Sequence, residues 1–277
     1  MEAQMIVVAH RGLHSVHPEN SLAAFAAAWQ AGIKWCECDV HATADGVPVV
    51  IHDETLERTT AMRGLVRETE WAELSDVVPT LRQVLAAMPG DCGMLIEIKP
   101  VDEELVGAVV REISLTPAVS ASTSAPGIPG EDRGGGSAGS LPTSKAALAT
   151  ASAQPPPNPP PDYRGRGKTL ARRCIIQSFD PLNLHWAKEF DPSAVTAFLV
   201  DRPEALVDAI GGSWQGVYVN QQLLESSAIA HIRRGRQLGA WTVNSAQEIS
   251  RAMRFGVDVL ITNDPLLARS LSSGRSV

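Results

Sequence analysis

The sequence predicts an α/β chain folded as a (β/α)8 TIM barrel, on three observations. Short apolar runs alternate with helix-like runs along nearly the whole chain, and the ends of the apolar runs carry ionisable or amide groups. No Gly-rich phosphate loop follows the first run, where an open doubly wound sheet would usually carry one; the residues there are His10-Arg11-Gly12.

Met5 to Ala9 reads as the first strand. Pro18-Glu19-Asn20-Ser21 opens a helix with Asn20 or Ser21 as cap, after which Leu22, Phe25, Ala26, Trp29 and Ile33 recur at helical spacing. Trp35 to Val40 is the second strand. Residues 40–79 follow as a small insertion on the barrel rim, with a turn at Thr43-Ala44-Asp45-Gly46 and a short strand, Val47 to Ile51, leading to His52-Asp53. Thr80 caps the next helix, Met94 to Lys99 is the third barrel strand, and Asp102 to Ile113 its helix. Beyond the break described below, strands are expected at 173–179, 196–201, 216–220, 238–243 and 257–262. Helices are expected at 181–190, 203–210, 221–234, 246–255 and 265–271.

The break spans residues 117–167, which hold 10 of the 19 prolines amid Gly, Ser and Ala. Such a composition cannot bury enough apolar surface to offset its ordering entropy, so a disordered linker is expected between the third helix and fourth strand, on the barrel face away from the active site. The remaining 226 of 277 residues suit one barrel, so residues 1–277 form a single domain. A net charge of −7 argues against a nucleic-acid groove. The N-terminus lacks a basic segment and the apolar run after it is too short to span a membrane, so no stable membrane insertion is expected. Cys36, Cys38, Cys92 and Cys174 have no metal-finger spacing and read as free thiols of a reducing compartment, which places the protein in the cytoplasm.

The chemistry starts from Trp35-Cys36-Glu37-Cys38-Asp39-Val40. A period of two puts Glu37 and Asp39 on one face and the thiols on the other. Met94-Leu95-Ile96-Glu97-Ile98-Lys99 repeats the device with Glu97 and Lys99. Three carboxylates on barrel strands repel unless they share a proton or a cation, and an all-oxygen set suits Mg²⁺ or Ca²⁺ better than zinc. A buried ion pair with Arg11 or Lys99 is the competing explanation, but three acids against two bases leave an excess. Arg11 and Lys99 beside a divalent ion make a pocket for phosphate. His10 and His52 supply acid and base, because imidazole titrates near neutral pH. Further polar strand ends are Gln177 and Ser178, Asn220, Trp241 and Asn244, and Asn263 and Asp264. Glu19 either touches the metal or substrate or is a first-turn carboxylate favoured by the helix dipole. Asp53 and Asp264 read as fixing turns or orienting a neighbour.

In order, His10-Arg11-Gly12, Pro18-Glu19-Asn20-Ser21, Glu37-x-Asp39-Val40, Thr43-x-Asp45-Gly46, Val49-Val50-Ile51-His52-Asp53, Leu56-x-Arg58-Thr59-Thr60, Glu97-Ile98-Lys99, Ser178-Phe179-Asp180, Trp241-Thr242-Val243-Asn244 and Thr262-Asn263-Asp264-Pro265 resemble the glycerophosphodiester phosphodiesterase family in its small cytoplasmic bacterial form. The resemblance implies a TIM barrel with an insertion after strand two. It implies hydrolysis of small-molecule glycerophosphodiesters, such as glycerophosphocholine and glycerophosphoethanolamine, to sn-glycerol 3-phosphate and an alcohol. It also implies a divalent cation, Mg²⁺ or Ca²⁺, held by Glu37, Asp39 and Glu97, an acid/base pair of His10 and His52, phosphate binding by Arg11 and Lys99, and Trp241 against the glycerol.

Two rival readings use the same residues. One is a phosphodiesterase acting on a lipid headgroup, of the lysophospholipase D or phospholipase C kind; an apolar lip at the mouth would favour it, whereas short polar connections favour a small soluble diester. The other is a non-catalytic binder of phosphorylated ligands, against which both His10 and His52 speak.

Overall fold

The computed structural model describes residues 5–116, 173–233 and 235–273, so residues 117–167, read above as a linker, lie outside the described residues. Among the described residues, eight parallel strands close into a barrel: β1 (Ile6–His10), β2 (Trp35–Ala42), β4 (Gly93–Ile98), β5 (Cys174–Ser178), β6 (Val195–Val200), β7 (Gly216–Asn220), β8 (Gln237–Trp241) and β9 (Val259–Thr262), with β9 returning to β1. A short β3 (Pro48–Val50) pairs antiparallel with the end of β2. That pairing extends β2 to Ala42, two residues beyond its expected end at Val40, because His41 and Ala42 find partners in Val49 and Pro48.

The helices are α1 (Leu22–Gln30), α2 (Trp71–Leu74), α3 (Leu81–Ala87), α4 (Glu103–Leu115), α5 (Pro181–Phe190), α6 (Ala205–Gly211), α7 (Ile229–Ile232), α8 (Ala246–Arg254) and α9 (Pro265–Ser272). Their starts follow side-chain chemistry. Thr80 with Gln83 and Ser245 with Glu248 form capping boxes, and Asp180 and Asp264 cap helices that begin with proline. One expected helix, 221–234, is broken instead into a 3-10 turn (Gln221–Glu225) and the single-turn α7. Ser226 and Ser227 interrupt it, with the Ser226 hydroxyl accepting from the Ala228 N–H rather than leaving the backbone to continue the helix. No helix among the described residues is long and apolar enough to cross a membrane.

Period-two alternation divides the strand side chains into two cores. Cys36, Cys38, Val40, Ile96 and Ile98 face outward into the layer packed by helices, where all four cysteines lie buried as free thiols. Val8, Leu95, Ile175, Leu199, Tyr218 and Val259 fill the barrel interior. A third, smaller cluster of Val49, Ile51, Leu56, Val66, Leu74 and Val78 gives the rim insertion an apolar core of its own. The rim insertion expected at 40–79 is therefore a packed unit. Burying six such side chains contributes of the order of 10 kcal/mol at roughly 1.5–3 kcal/mol each, enough to hold a loop-rich segment in place.

Candidate active site

At the carboxyl ends of β1, β2, β4 and β5, polar groups replace the apolar filling of the barrel. Glu37, Asp39 and Glu97 are buried, and one oxygen from each lies within 4.8 Å of the others. Adjacent registers produce this: Glu37 sits beside Leu95 and Asp39 beside Glu97 across the β2–β4 ladder, so three inward positions on two neighbouring strands converge. These are the three acids marked in the sequence, brought together on two strands.

The two bases are there as well. Arg11 Nε lies 3.0 Å from Asp39 Oδ2, and Lys99 Nζ lies 2.9 Å from Asp39 Oδ1 and 2.6 Å from Glu97 Oε1. The ion pairs weighed against a metal are thus present, and they coexist with the acidic excess. Asp39 takes both cations: burial alone would raise its carboxyl, but Lys99 and Arg11 hold it down at about 2. Glu97 is pushed up to about 7 by burial and by the charge of Asp39. Burial, Asp39 and Glu97 together raise Glu37 well above the ordinary carboxylate range. Among the described residues, its side-chain oxygens accept from neutral donors, Gln177 Nε2 at 3.2 Å and the Arg11 N–H at 3.3 Å. The other amide atom of Gln177, Oε1, is buried without a hydrogen-bond partner among the described residues. Crowded carboxylates that resist ionisation beside an unsatisfied amide oxygen fit a hard divalent cation, whose charge would relieve both.

The strand end delivers His10 and Arg11 through an unusual turn. Arg11 adopts a left-handed backbone (φ 57°), followed by Gly12 (φ 81°), where a Cβ would meet the Ala24 backbone at 2.7 Å. Glycine is therefore obligatory in His10-Arg11-Gly12. His10 Nδ1 lies 2.7 Å from Asn263 Oδ1, which also accepts from His14 Nε2 at 3.2 Å. Burial, reinforced by Arg11, lowers His10 to about 4, so at neutral pH the ring carries one proton, on Nδ1, and a lone pair on Nε2. Nε2 stands 3.9 Å from Glu37.

His52 enters from the insertion, where its Nδ1 donates to Asp53 Oδ1 at 2.6 Å. Asp53 is held low, first by hydrogen bonding to Arg58, so it accepts and the proton belongs to His52 Nδ1. Asp53 thus does orient a neighbour, whereas Asp264 caps α9. Glu19 Oε1 accepts from Arg11 Nη1 (3.1 Å) and Arg58 Nη2 (2.7 Å), which favours an ion-pairing role over a metal ligand. Trp241 is half-buried, donates Nε1–H to the Tyr218 carbonyl, and meets Phe179 edge-on at 5.4 Å.

Of the two residues offered in the sequence as the cap of the first helix, one caps it and the other contributes to the site. Ser21 is the cap of α1, while Asn20 turns left-handed (φ 57°) and donates Nδ2–H to Asp39 Oδ2 at 2.8 Å. A polar residue directly before a strong cap was the available signal. The mouth is also less polar than expected, with Val101 and Phe179 exposed on the loops after β4 and β5 and Leu182 exposed on the first turn of α5.

A barrel whose acidic mouth suits a divalent ion, with two cations and two Nδ1-anchored imidazoles beside it, defines a phosphate-ester class of TIM barrel. The model of the Glycerophosphoryl diester phosphodiesterase family matches residues 10–120 and 162–267, and the chain belongs to that family. The chain is 27% identical to the glycerophosphodiester phosphodiesterase of Caldanaerobacter subterraneus subsp. tengcongensis over 94% of each chain. Its fold matches an Oleispira antarctica phosphodiesterase solved in complex with the product sn-glycerol-3-phosphate (TM-score 0.69, 24% identity, 96% of each chain). It also matches a glycerophosphodiester phosphodiesterase of Thermotoga maritima (TM-score 0.68, 23% identity, 98% of this chain and 100% of that one).

Proposed function

We propose that the protein hydrolyses glycerophosphodiesters, such as glycerophosphocholine and glycerophosphoethanolamine, to sn-glycerol 3-phosphate and an alcohol. The observation that carries this reading is the crowding of three buried carboxylates next to two imidazoles, each with Nδ1 already engaged and Nε2 left for chemistry. Glu37, Asp39 and Glu97 would hold a divalent cation, Mg²⁺ or Ca²⁺, which when bound draws charge from a non-bridging phosphoryl oxygen. Arg11 and Lys99 face the same acids and bind the phosphate, and Trp241, stiffened by Phe179, walls the glycerol.

The two imidazoles divide the proton work. His10, neutral down to about pH 4, accepts at Nε2 the proton of the attacking oxygen, which is that of water in direct hydrolysis or the glycerol 2-hydroxyl where a cyclic phosphate forms first and water then opens it. His52, held through Nδ1 by the Asp53 carboxylate, donates from Nε2 to the departing alkoxide. A shallow cleft lined by Glu19, Ser21, Ile51, His52 and Thr59 adjoins this donor, on the side from which the alcohol departs. Four free thiols support a reducing compartment, the cytoplasm, as the site of action.

The test is a coupled sn-glycerol 3-phosphate assay over a panel of headgroups, with Mg²⁺, with Ca²⁺ and with chelator. Release from at least one soluble diester, lost in chelator, is expected. Failure of every diester with both ions, or undiminished release in chelator, overturns the reading. Exposed Val101, Phe179 and Leu182 favour a second substrate, a lysophospholipid whose acyl chain lies over the lip. Including lysophosphatidylcholine in the panel decides between them by which is turned over with the higher kcat/KM.

A further inference from the structure

Arg58 has no place in the chemistry above, yet its guanidinium touches both sides of it. Nε donates to Asp53 Oδ2 at 2.5 Å and Nη2 to Asp53 Oδ1 at 3.1 Å, a two-pronged grip on one carboxylate. Nη2 also donates to Glu19 Oε1 at 2.7 Å. Each of these acids holds one more group: Asp53 the Nδ1 of His52, Glu19 the Nη1 of Arg11. Arg58 and Asp53 belong to the insertion, Glu19 and Arg11 to the loop between β1 and α1. One side chain therefore ties together the two loops that carry a proton-transfer group and a phosphate anchor.

A carboxylate held only by His52 could turn about its own axis and take the imidazole with it; gripped through both oxygens, its plane is fixed and so is the direction of His52 Nε2. We propose that Arg58 is a positioning residue for the reaction, aiming His52 through Asp53 and Arg11 through Glu19, so that donor and anchor keep one separation. The inference rests on the reading of His52 as the proton donor. A structural role alone does not account for the arrangement, because Arg58 is 45% exposed and exposed ion pairs add little to stability.

Kinetics of Arg58→Ala and Arg58→Lys test this on two substrates, glycerophosphocholine and the para-nitrophenyl ester of glycerol 3-phosphate, whose leaving group departs without a proton. Misaimed donation costs Arg58→Ala about 100-fold in kcat on glycerophosphocholine and less than about tenfold on the para-nitrophenyl ester. KM rises on both through Arg11, and added guanidinium restores part of the lost kcat. Arg58→Lys keeps the charge without the fork and falls between. The melting temperature stays within about 2 °C of the parent, as for other exposed substitutions.

Loss of less than about twofold on glycerophosphocholine, or equal losses on both substrates with no rescue by guanidinium, overturns the proposal. His52→Ala is run beside these variants. If it is inactive on glycerophosphocholine while Arg58→Ala is not, only the role of Arg58 falls. If His52→Ala itself keeps parental turnover, the proton-donor reading fails and takes this inference with it.

Discussion

Replacing Glu97 by glutamine should stabilise the metal-free protein while ending its use as an enzyme. Glu97 is buried and its carboxyl sits at about 7, against an ordinary 4.5, because burial and Asp39 outweigh the help of Lys99. A carboxyl whose folded value lies above its unfolded one binds protons more readily when folded. Its contribution is therefore harmless below about pH 4.5 and becomes steadily more costly until about pH 7, beyond which the cost is constant. Two and a half pH units at about 1.4 kcal/mol each give a cost of about 3 kcal/mol at pH 8. Glutamine resembles the protonated acid in shape and escapes that cost. In chelator at pH 8, Glu97→Gln should melt about 6–12 °C above the parent, at roughly 2–4 °C per kcal/mol for a chain of this size, and the gap should close towards pH 5. Adding Mg²⁺ or Ca²⁺ should reverse the order, since only the parent keeps three charged ligands. Thermal melts at both pH values, with and without ion, read all of this. A variant that melts below the parent in chelator at pH 8 would refute the claim that the carboxylates are crowded.

Other consequences are open to simple assays. His10→Ala and His52→Ala should each lower kcat by about 10²–10⁴-fold while calorimetry still detects the cation; parental turnover in either would cancel that residue's role. With saturating ion, the acid limb of kcat/KM should fall near pH 4 rather than 6.5, because His10 is lowered by burial and stays a competent base until then. A limb centred near 6.5 would mean that the base lies elsewhere. Excising residues 117–167, proposed from composition to be a linker, should leave kcat and melting temperature close to parental, and a large fall in either would give that stretch another role.

The parts of the site governed by local periodicity could be read without coordinates. Glu37 and Asp39 alternate with Cys36 and Cys38 along one strand, and alternation alone decides which set enters the barrel. The partnerships that span the chain could not. Asn263 meets His10 across 253 residues, and nothing in either neighbourhood announces the bond. Asn20 was hidden for a different reason: Asn is both a good cap and a tolerated left-handed residue, and only the backbone angle distinguishes the two uses. The broken helix after β7 shows the limit of the helical pattern itself, since spacing at 221–234 is apolar enough but Ser226 offers the backbone a competing hydrogen bond.

The insertion's private core has a mutational meaning. His52, Asp53 and Arg58 ride on a unit packed around Leu56, Val66 and Leu74, whereas the acids belong to the barrel wall. Trimming Leu74 would disturb the handing-over of the alcohol and leave the grip on the ion untouched. On the proposed reading, selection can then retune which alcohols are accepted by reshaping a rim ornament of a few dozen residues, while the floor proposed to hold the ion and the glycerol phosphate stays as it is.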